Sequence, residues 1–211
     1  MHKIKIKETI VKRISEYAEE FGVEVYTVGG YVRDVLLNRK RKDIDFTVVG
    51  DSIAFSKFVG EKLKREPIVF ERFRTAMIPY RGYQLEFVGT RKEEYLPNSR
   101  KPIVSIGTLE DDLKRRDFTI NALAANLSKE RFGEVIDIFN GLDDLKNKIL
   151  RTPLDPFTTY SDDPLRMMRA ARFAAQLEFQ LHQSSVEAII QMADRIKIIS
   201  QERITDEFLK I

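Results

Sequence analysis

The sequence has no cysteine among its 211 residues. That absence removes disulfides, thiol nucleophiles and cysteine-ligated zinc together, and leaves catalysis to oxygen ligands and nitrogen bases. Histidine is scarce as well. His2 and His182 are the only imidazoles, and neither has a second histidine or a carboxylate at metal-ligand spacing, so both read as ordinary surface residues. No stretch approaches the roughly 18 consecutive apolar residues of a membrane span, and the start, Met1-His2-Lys3, carries no apolar signal core. The expectation is a cytoplasmic location, no membrane partner and no evident partner protein. Internal repeats and low-complexity tracts are also missing.

What is present is a 43% hydrophobic share, enough for a proper core, and a net charge of +3 that is unevenly spread. The basic residues cluster at Arg39-Lys40-Arg41-Lys42, Arg91-Lys92, Arg100-Lys101 and Lys114-Arg115-Arg116. Any one cluster reads as a solvated face; several beside the motifs below favour a polyanion such as nucleotide or nucleic acid.

Periodicity predicts an amphipathic helix over residues 7–21 and a strand over Val23 to Val28. Strands are predicted at Asp43 to Val49, Thr75 to Tyr80 and Tyr83 to Thr90, with a helix from Asp51 or Ser52 to about Arg65. Residues 91–108 show no period and read as a long loop. From Leu109 the pattern turns helical, broken by a strand at Glu134 to Ile138. A polar break over Thr152 to Asp162 precedes a helical run from Asp163 to Glu178. The fold class expected is α/β, a small mixed sheet with helices, with a boundary near 150 to 160 and an unfinished helix from Glu202 to Ile211.

The chemistry gathers in four segments. Gly29-Gly30 lies between a strand and a helix, where bare backbone N–H groups can approach an anion and Arg33 can add charge; it is also what a plain turn looks like. After twelve intervening residues, Asp43-Ile44-Asp45 sits on a strand whose alternate side chains share a face, so the two carboxylates point the same way. Like charges that close call for a divalent cation, with Mg²⁺ the natural hard ion. The plainer reading is a solvated strand edge. Glu86 on a neighbouring strand is a candidate third ligand or an exposed strand residue.

In Arg115-Arg116-Asp117-Phe118-Thr119-Ile120-Asn121, adjacent arginines can grip phosphate or sugar, and Asp117 and Asn121 can brace each other or a ligand. In Asp163-Pro164-Leu165-Arg166-Met167-Met168-Arg169, a carboxylate beside guanidinium donors can match the edge of a base without a nucleic-acid template, or form a solvated intrahelical pair.

Together GGYVRDVLLNRKRKDID, RRDFTINAL, DPLRMMRAARFAAQLEF and the opening of ERIxxE resemble the bacterial class of tRNA nucleotidyltransferases and poly(A) polymerases, within the DNA polymerase beta superfamily, most of all its CCA-adding members. The resemblance implies a nucleotidyltransferase head over residues 1–150 and a helical neck over 151–211 that stops short. By it Asp43 and Asp45 bind two Mg²⁺ ions, and Gly30 and Arg33 contact the nucleoside triphosphate beside Gly29. Arg116 binds sugar or phosphate, and Asp117 has a structural or ribose-related place. Asp163 and Arg166 form the protein template that selects CTP or ATP, with Arg169 and Arg172 nearby. The segment at 91–108 looks like the element linked to switching from C to A addition. The implied reaction is attack by the tRNA 3′-hydroxyl on the α-phosphate of CTP or ATP. Poly(A) synthesis, CC-only or A-only addition, and a non-catalytic RNA-binding module stand as alternatives.

Overall fold

Alternation along Asp43–Val49 sets the layout of the first half. Ile44, Phe46 and Val48 are fully buried on one face, and Asp43, Asp45 and Thr47 fall on the other. The computed structural model describes residues 2–40, 42–94 and 103–211. In chain order the strands are β1 (Glu24–Val28), β2 (Asp43–Val49), β3 (Ile68–Phe70), β4 (Thr75–Tyr80), β5 (Tyr83–Gly89), β6 (Arg91–Glu94), β7 (Ile103–Ile106), β8 (Leu123–Asn126), β9 (Val135–Asp137), β10 (Ile149–Leu150) and β11 (Gln180–Leu181). Seven of them form one mixed sheet in the order β3-β4-β5-β2-β1-β8-β9. Its one parallel pairing joins β2 to β5, and the chain between them crosses over through a helix as parallel strands require.

Helices α1 (Thr9–Phe21) and α3 (Ser52–Leu63) cover the apolar face, with α2 (Gly30–Leu36) leading out of β1. Ile10, Val11, Ile14 and Ala18 of α1 meet Ile44, Phe46, Leu85 and Phe87 in one core, where the Phe46 and Phe87 rings stack at 5.0 Å. Each phenylalanine buried this way stabilises the fold by about 1.5–3 kcal/mol. Asp51 caps α3 by accepting from the N–H groups of Ile53 and Ala54, both at 3.0 Å. Both helices start and stop within about two residues of expectation.

The second half supplies α4 (Leu109–Lys114), α5 (Gly141–Asn147), α6 (Pro156–Asp162), α7 (Leu165–Leu177), α8 (Gln183–Met192) and α9 (Gln201–Phe208). Phe118, Ile120, Leu150, Ala170, Phe173 and Leu177 form a second core that seats α7 against the 118–120 segment, with Phe118 edge-on to Phe173 at 5.8 Å. The arginines of α7 are thereby fixed opposite the segment after α4. His182 caps α8, its Nδ1 accepting from the Ser184 N–H at 3.4 Å. Among the described residues, no helix is long and apolar enough to cross a membrane.

Three expectations are corrected. The helical pattern from Leu109 is interrupted by β8, a strand pairing with β1 and β9. All four of its residues are buried, so alternation is erased, and Leu-Ala-Ala-Asn carries a helical bias that sheet pairing overrides. The loop over 91–108 is strand at both ends, β6 pairing antiparallel with β7 from Arg91↔Ile106 to Glu94↔Ile103. Its β-branched Ile103-Val104 was hidden by the polar composition around it. Residues 95–102, on which the expected switching element partly falls, lie outside the described residues. Third, the polar break holds helix α6, started by Pro156 in its first turn and by Asp155, which accepts from the Thr158 N–H at 2.9 Å.

Candidate active site

The parallel register of β2 and β5 pairs Asp43 with Gln84 and Asp45 with Glu86. Asp45 and Glu86 are half-buried neighbours on the polar face, and Asp43 is exposed at the start of the same strand. Burial pushes the Glu86 carboxyl up from its ordinary value, and the charge of Asp45 pushes it further, against the pull of Arg91 and Arg116. Asp45 and Glu86 thus stand side by side on paired strands, and their oxygen donors suit a hard divalent cation. Among the described residues, no group of three or more His, Cys, Asp or Glu side chains is placed to hold a metal ion.

Above this face lies a cavity of about 710 Å³, within the range of small-molecule sites. Asp45 and Glu86 line it, and so do Gly30, Arg33, Arg116, Asp117, Asn121, Asp163, Arg166, Arg169 and Arg172. Nearly every residue singled out in the sequence therefore reaches one space. Gly29 and Asp43 do not line it. Of the basic clusters, Arg91, Arg115 and Arg116 reach it, while Arg41, Arg100 and Lys101 lie outside the described residues. Eight arginines against five carboxylates line the cavity, an excess that suits a polyphosphate.

Gly29 sits at φ +66°, and a Cβ there would lie 2.6 Å from Arg116 Nη1. Glycine is thus needed at Gly29 to let the Arg116 guanidinium lie over the turn. Arg116 is held by Asp112, whose Oδ2 accepts from its Nη2 at 3.0 Å while Oδ1 accepts from Arg115 Nη2 at 2.5 Å. Asp112 is fully buried and also accepts from Thr47 Oγ1 of β2 at 3.3 Å. Burial alone would raise its carboxyl, but Arg116 and Arg115 outweigh that and hold it below the usual range.

Arg33 is only 3% exposed. Its Nε donates to Asp34 at 2.8 Å and its Nη1 to Asn121 Oδ1 at 2.6 Å. Asn121 in turn donates to Asp117 Oδ1 at 2.9 Å, so the expected mutual bracing is present, across a short 3₁₀ turn at Thr119–Asn121. Asp117 Oδ2 accepts from Arg169 Nε at 2.8 Å. Burial opposes the ionised form of Asp117, yet Arg169, the Asn121 amide and Arg166 bring its carboxyl down to about 2.

Asp163 precedes the helix instead of opening it: α7 begins at Leu165, whose N–H donates to Asp163 Oδ1 at 3.2 Å. Arg166 donates to two backbone carbonyls, Arg115 at 2.6 Å and Thr159 at 3.3 Å. Arg172 turns to Glu207 of α9, Nε to Oε2 at 2.6 Å. Asp112 and Glu207 escaped the sequence reading. Asp112 of α4 stands three and four residues before Arg115 and Arg116, which directly follow that helix, a legible ion-pair spacing; Glu207 closes the ERIxxE pattern that was read only at its start.

Residues 25–151 match the family described as "Poly A polymerase head domain", and residues 178–211 match "Probable RNA and SrmB- binding site of polymerase A". The chain belongs to this poly(A) polymerase head family of nucleotidyltransferases. It is 39% identical to a CCA-adding enzyme of Lactobacillus helveticus over 98% of this chain and 51% of that protein. It is 36% identical to an A-adding tRNA nucleotidyltransferase of Aquifex aeolicus over 90% of this chain and 24% of that one. The solved structure of a tRNA nucleotidyltransferase complexed with a primer tRNA and an incoming ATP analog superposes with a TM-score of 0.81 at 35% identity, over 92% of this chain and 54% of that one. The chain spans about half the length of the CCA-adding enzymes it matches. The family works with a divalent metal.

Proposed function

We propose that this chain adds CCA to tRNA 3′ ends from CTP and ATP, without a nucleic-acid template, as the catalytic half of a tRNA nucleotidyltransferase. The observation that carries this is the β2–β5 register, which seats Asp45 beside Glu86 under an arginine-lined cavity of about 710 Å³. The named relatives point the same way. A tRNA substrate makes the cytoplasm the place of work. The family matches support a division into a head to about residue 150 and a helical neck over 151–211.

Asp43 and Asp45, with Glu86, would hold Mg²⁺, which when bound neutralises the triphosphate and lowers the pKa of the attacking hydroxyl. Two or three carboxylates suffice, because Mg²⁺ takes substrate phosphates and water for the rest. Gly30 and Arg116 meet the triphosphate where the Gly-Gly turn opens, and Arg33 braces that wall through Asn121. Asp163 and Arg166 face the base edge, while Asp117, Arg169 and Arg172 lock α7 in place. The RNA 3′-oxygen forms a bond to the α-phosphorus, the bond to the β-phosphate oxygen breaks, pyrophosphate leaves with the electron pair, and the hydroxyl proton passes to solvent.

The Aquifex relative and the family description favour one second reading, addition of A alone. Incubation with tRNA lacking its 3′ end and labelled CTP or ATP separates them: C, C and A in order supports the first, a single A or long A tails the second. Asp43→Asn and Asp45→Asn each remove several kcal/mol of transition-state stabilisation, a loss of at least about hundredfold. Undiminished incorporation by both variants would sink the metal assignment.

A further inference from the structure

One aromatic ring gathers three of the cavity's arginines. The guanidinium carbons of Arg33, Arg169 and Arg172 lie 5.1, 5.3 and 4.3 Å from the centroid of the Phe173 ring, all within cation–π range. Arg33 belongs to α2, which opens at Gly30, whereas Phe173, Arg169 and Arg172 belong to α7, the helix that also carries Arg166. We infer that Phe173 is a positioning residue for the nucleotide: by holding one cation of α2 and two of α7 on a single ring, it sets the distance between the triphosphate end of the cavity and the base end. This rests on the placing of triphosphate and base proposed above.

The part played by the ring differs from that of the ion pairs. A guanidinium donates hydrogen bonds in its own plane and stacks through its faces. In-plane donors of Arg33 go to Asp34 and Asn121, those of Arg169 to Asp117, and those of Arg172 to Glu207 and Gln176. Three carboxylates therefore offset the three charges, and what the arginines share is the ring. Phe173 is only 5% exposed, and Phe118 meets it edge-on at 5.8 Å in the second core, so the ring stands at a fixed point between that core and the cavity. An aliphatic side chain would fill the core but offer no π face. A nucleoside triphosphate carries base and phosphates at opposite ends, and both ends engage only where the two walls keep their spacing. The chain from Arg33 through Asn121 and Asp117 to Arg169 ties the same walls, so weakening the ring loosens them without freeing them.

Fluorination drains electron density from a phenylalanine ring while nearly keeping its shape and apolar character, so mono-, di- and trifluorophenylalanine at Phe173 weaken the cation contacts in steps. Calorimetric titration with Mg²⁺ gives Kd for CTP, ATP and inorganic tripolyphosphate, at a temperature where circular dichroism shows every variant folded. The expected result is a stepwise rise in Kd that reaches about three- to tenfold with three fluorines and is equal for CTP and ATP. Tripolyphosphate, which occupies the phosphate end alone, keeps its Kd. Trifluorophenylalanine at Phe55, packed on Phe21 and Phe87 in the first core, leaves all three values unchanged. A flat series overturns the inference, and so does an equal penalty on tripolyphosphate, which is what general loosening of the wall would give. If Kd follows the ring while the wild-type protein transfers no nucleotide, the positioning role stands and the transfer reaction falls; no CTP binding by the wild-type protein overturns both.

Discussion

Replacing Asp117 by asparagine tests the network that joins α7 to the rest of the cavity. The carboxylate is 7% exposed and accepts from the Phe118 N–H at 2.9 Å, from Asn121 at 2.9 Å and from Arg169 at 2.6 Å. Asparagine keeps the shape and one acceptor oxygen but turns an N–H group towards Arg169. Breaking a buried ion pair by removing one partner costs about 3–5 kcal/mol. Arg169 is a third exposed and retains Glu207 at 3.8 Å, so partial rehydration brings the expected loss to about 2–3 kcal/mol. For a chain of this length that lowers the Tm by roughly 5–10 °C.

Proton linkage gives a second route to the magnitude. The Asp117 carboxyl falls from 3.8 to about 2 on folding, a difference on the order of 2 kcal/mol. Because the folded value is the lower one, the unfolded chain binds more protons between the two, and the stabilisation is present in full above the unfolded value. It is lost as pH falls from about 4 towards about 2. Urea unfolding at pH 7, and then at descending pH for as long as both proteins fold, reads it directly. The gap between wild type and Asp117→Asn should be widest at neutral pH and close on acidification. A gap of constant size at all pH values, or none at pH 7, would refute the reasoning.

Two further outcomes are expected from the wall of the cavity. Gly29→Ala places a methyl against Arg116 at φ +66° and ψ −130°, a backbone region that side chains strain to enter, so stability should fall by about 1–3 kcal/mol, with nucleotide affinity, read by titration of CTP, falling as Arg116 is displaced. Asp112→Ala leaves Arg115 and Arg116 without their shared carboxylate and should cost about 3–5 kcal/mol in urea unfolding, with Asp112→Asn recovering part of it; equal stability of Asp112→Ala and wild type would show that the pair contributes nothing.

Local signals carried much of the fold. The α1 stripe, the alternation of β2 and the Asp51 cap are each decided within a dozen residues, where period and capping chemistry act. β8 was not legible because both its faces are covered, so neither period survives, and nothing in Leu-Ala-Ala-Asn says that β1 and β9 flank it. The β2–β5 pairing is parallel and non-local, which no neighbouring residue announces; yet it is this pairing that turns Glu86 from a strand residue into the neighbour of Asp45.

The arginines show where sequence reasoning stops for a physical reason. Composition and motif placed Arg33, Arg116, Arg166, Arg169 and Arg172 near a ligand, and the cavity collects all five. A guanidinium has five donors, however, and burial demands that they be used whether or not a ligand is present. Here Asn121, Asp112, Asp117, Glu207 and two backbone carbonyls use many of them. Apart from Asp112, each partner lies on a different element from its arginine, so the division between arginines that line the cavity and arginines that hold its wall depends on tertiary packing. Removing Arg116, fastened to Asp112 on one side and lying over the Gly29 turn on the other, is therefore expected to weaken CTP binding, read by titration, more than stability; removing Arg169, tied to Asp117 and Glu207, is expected to lower stability in urea first.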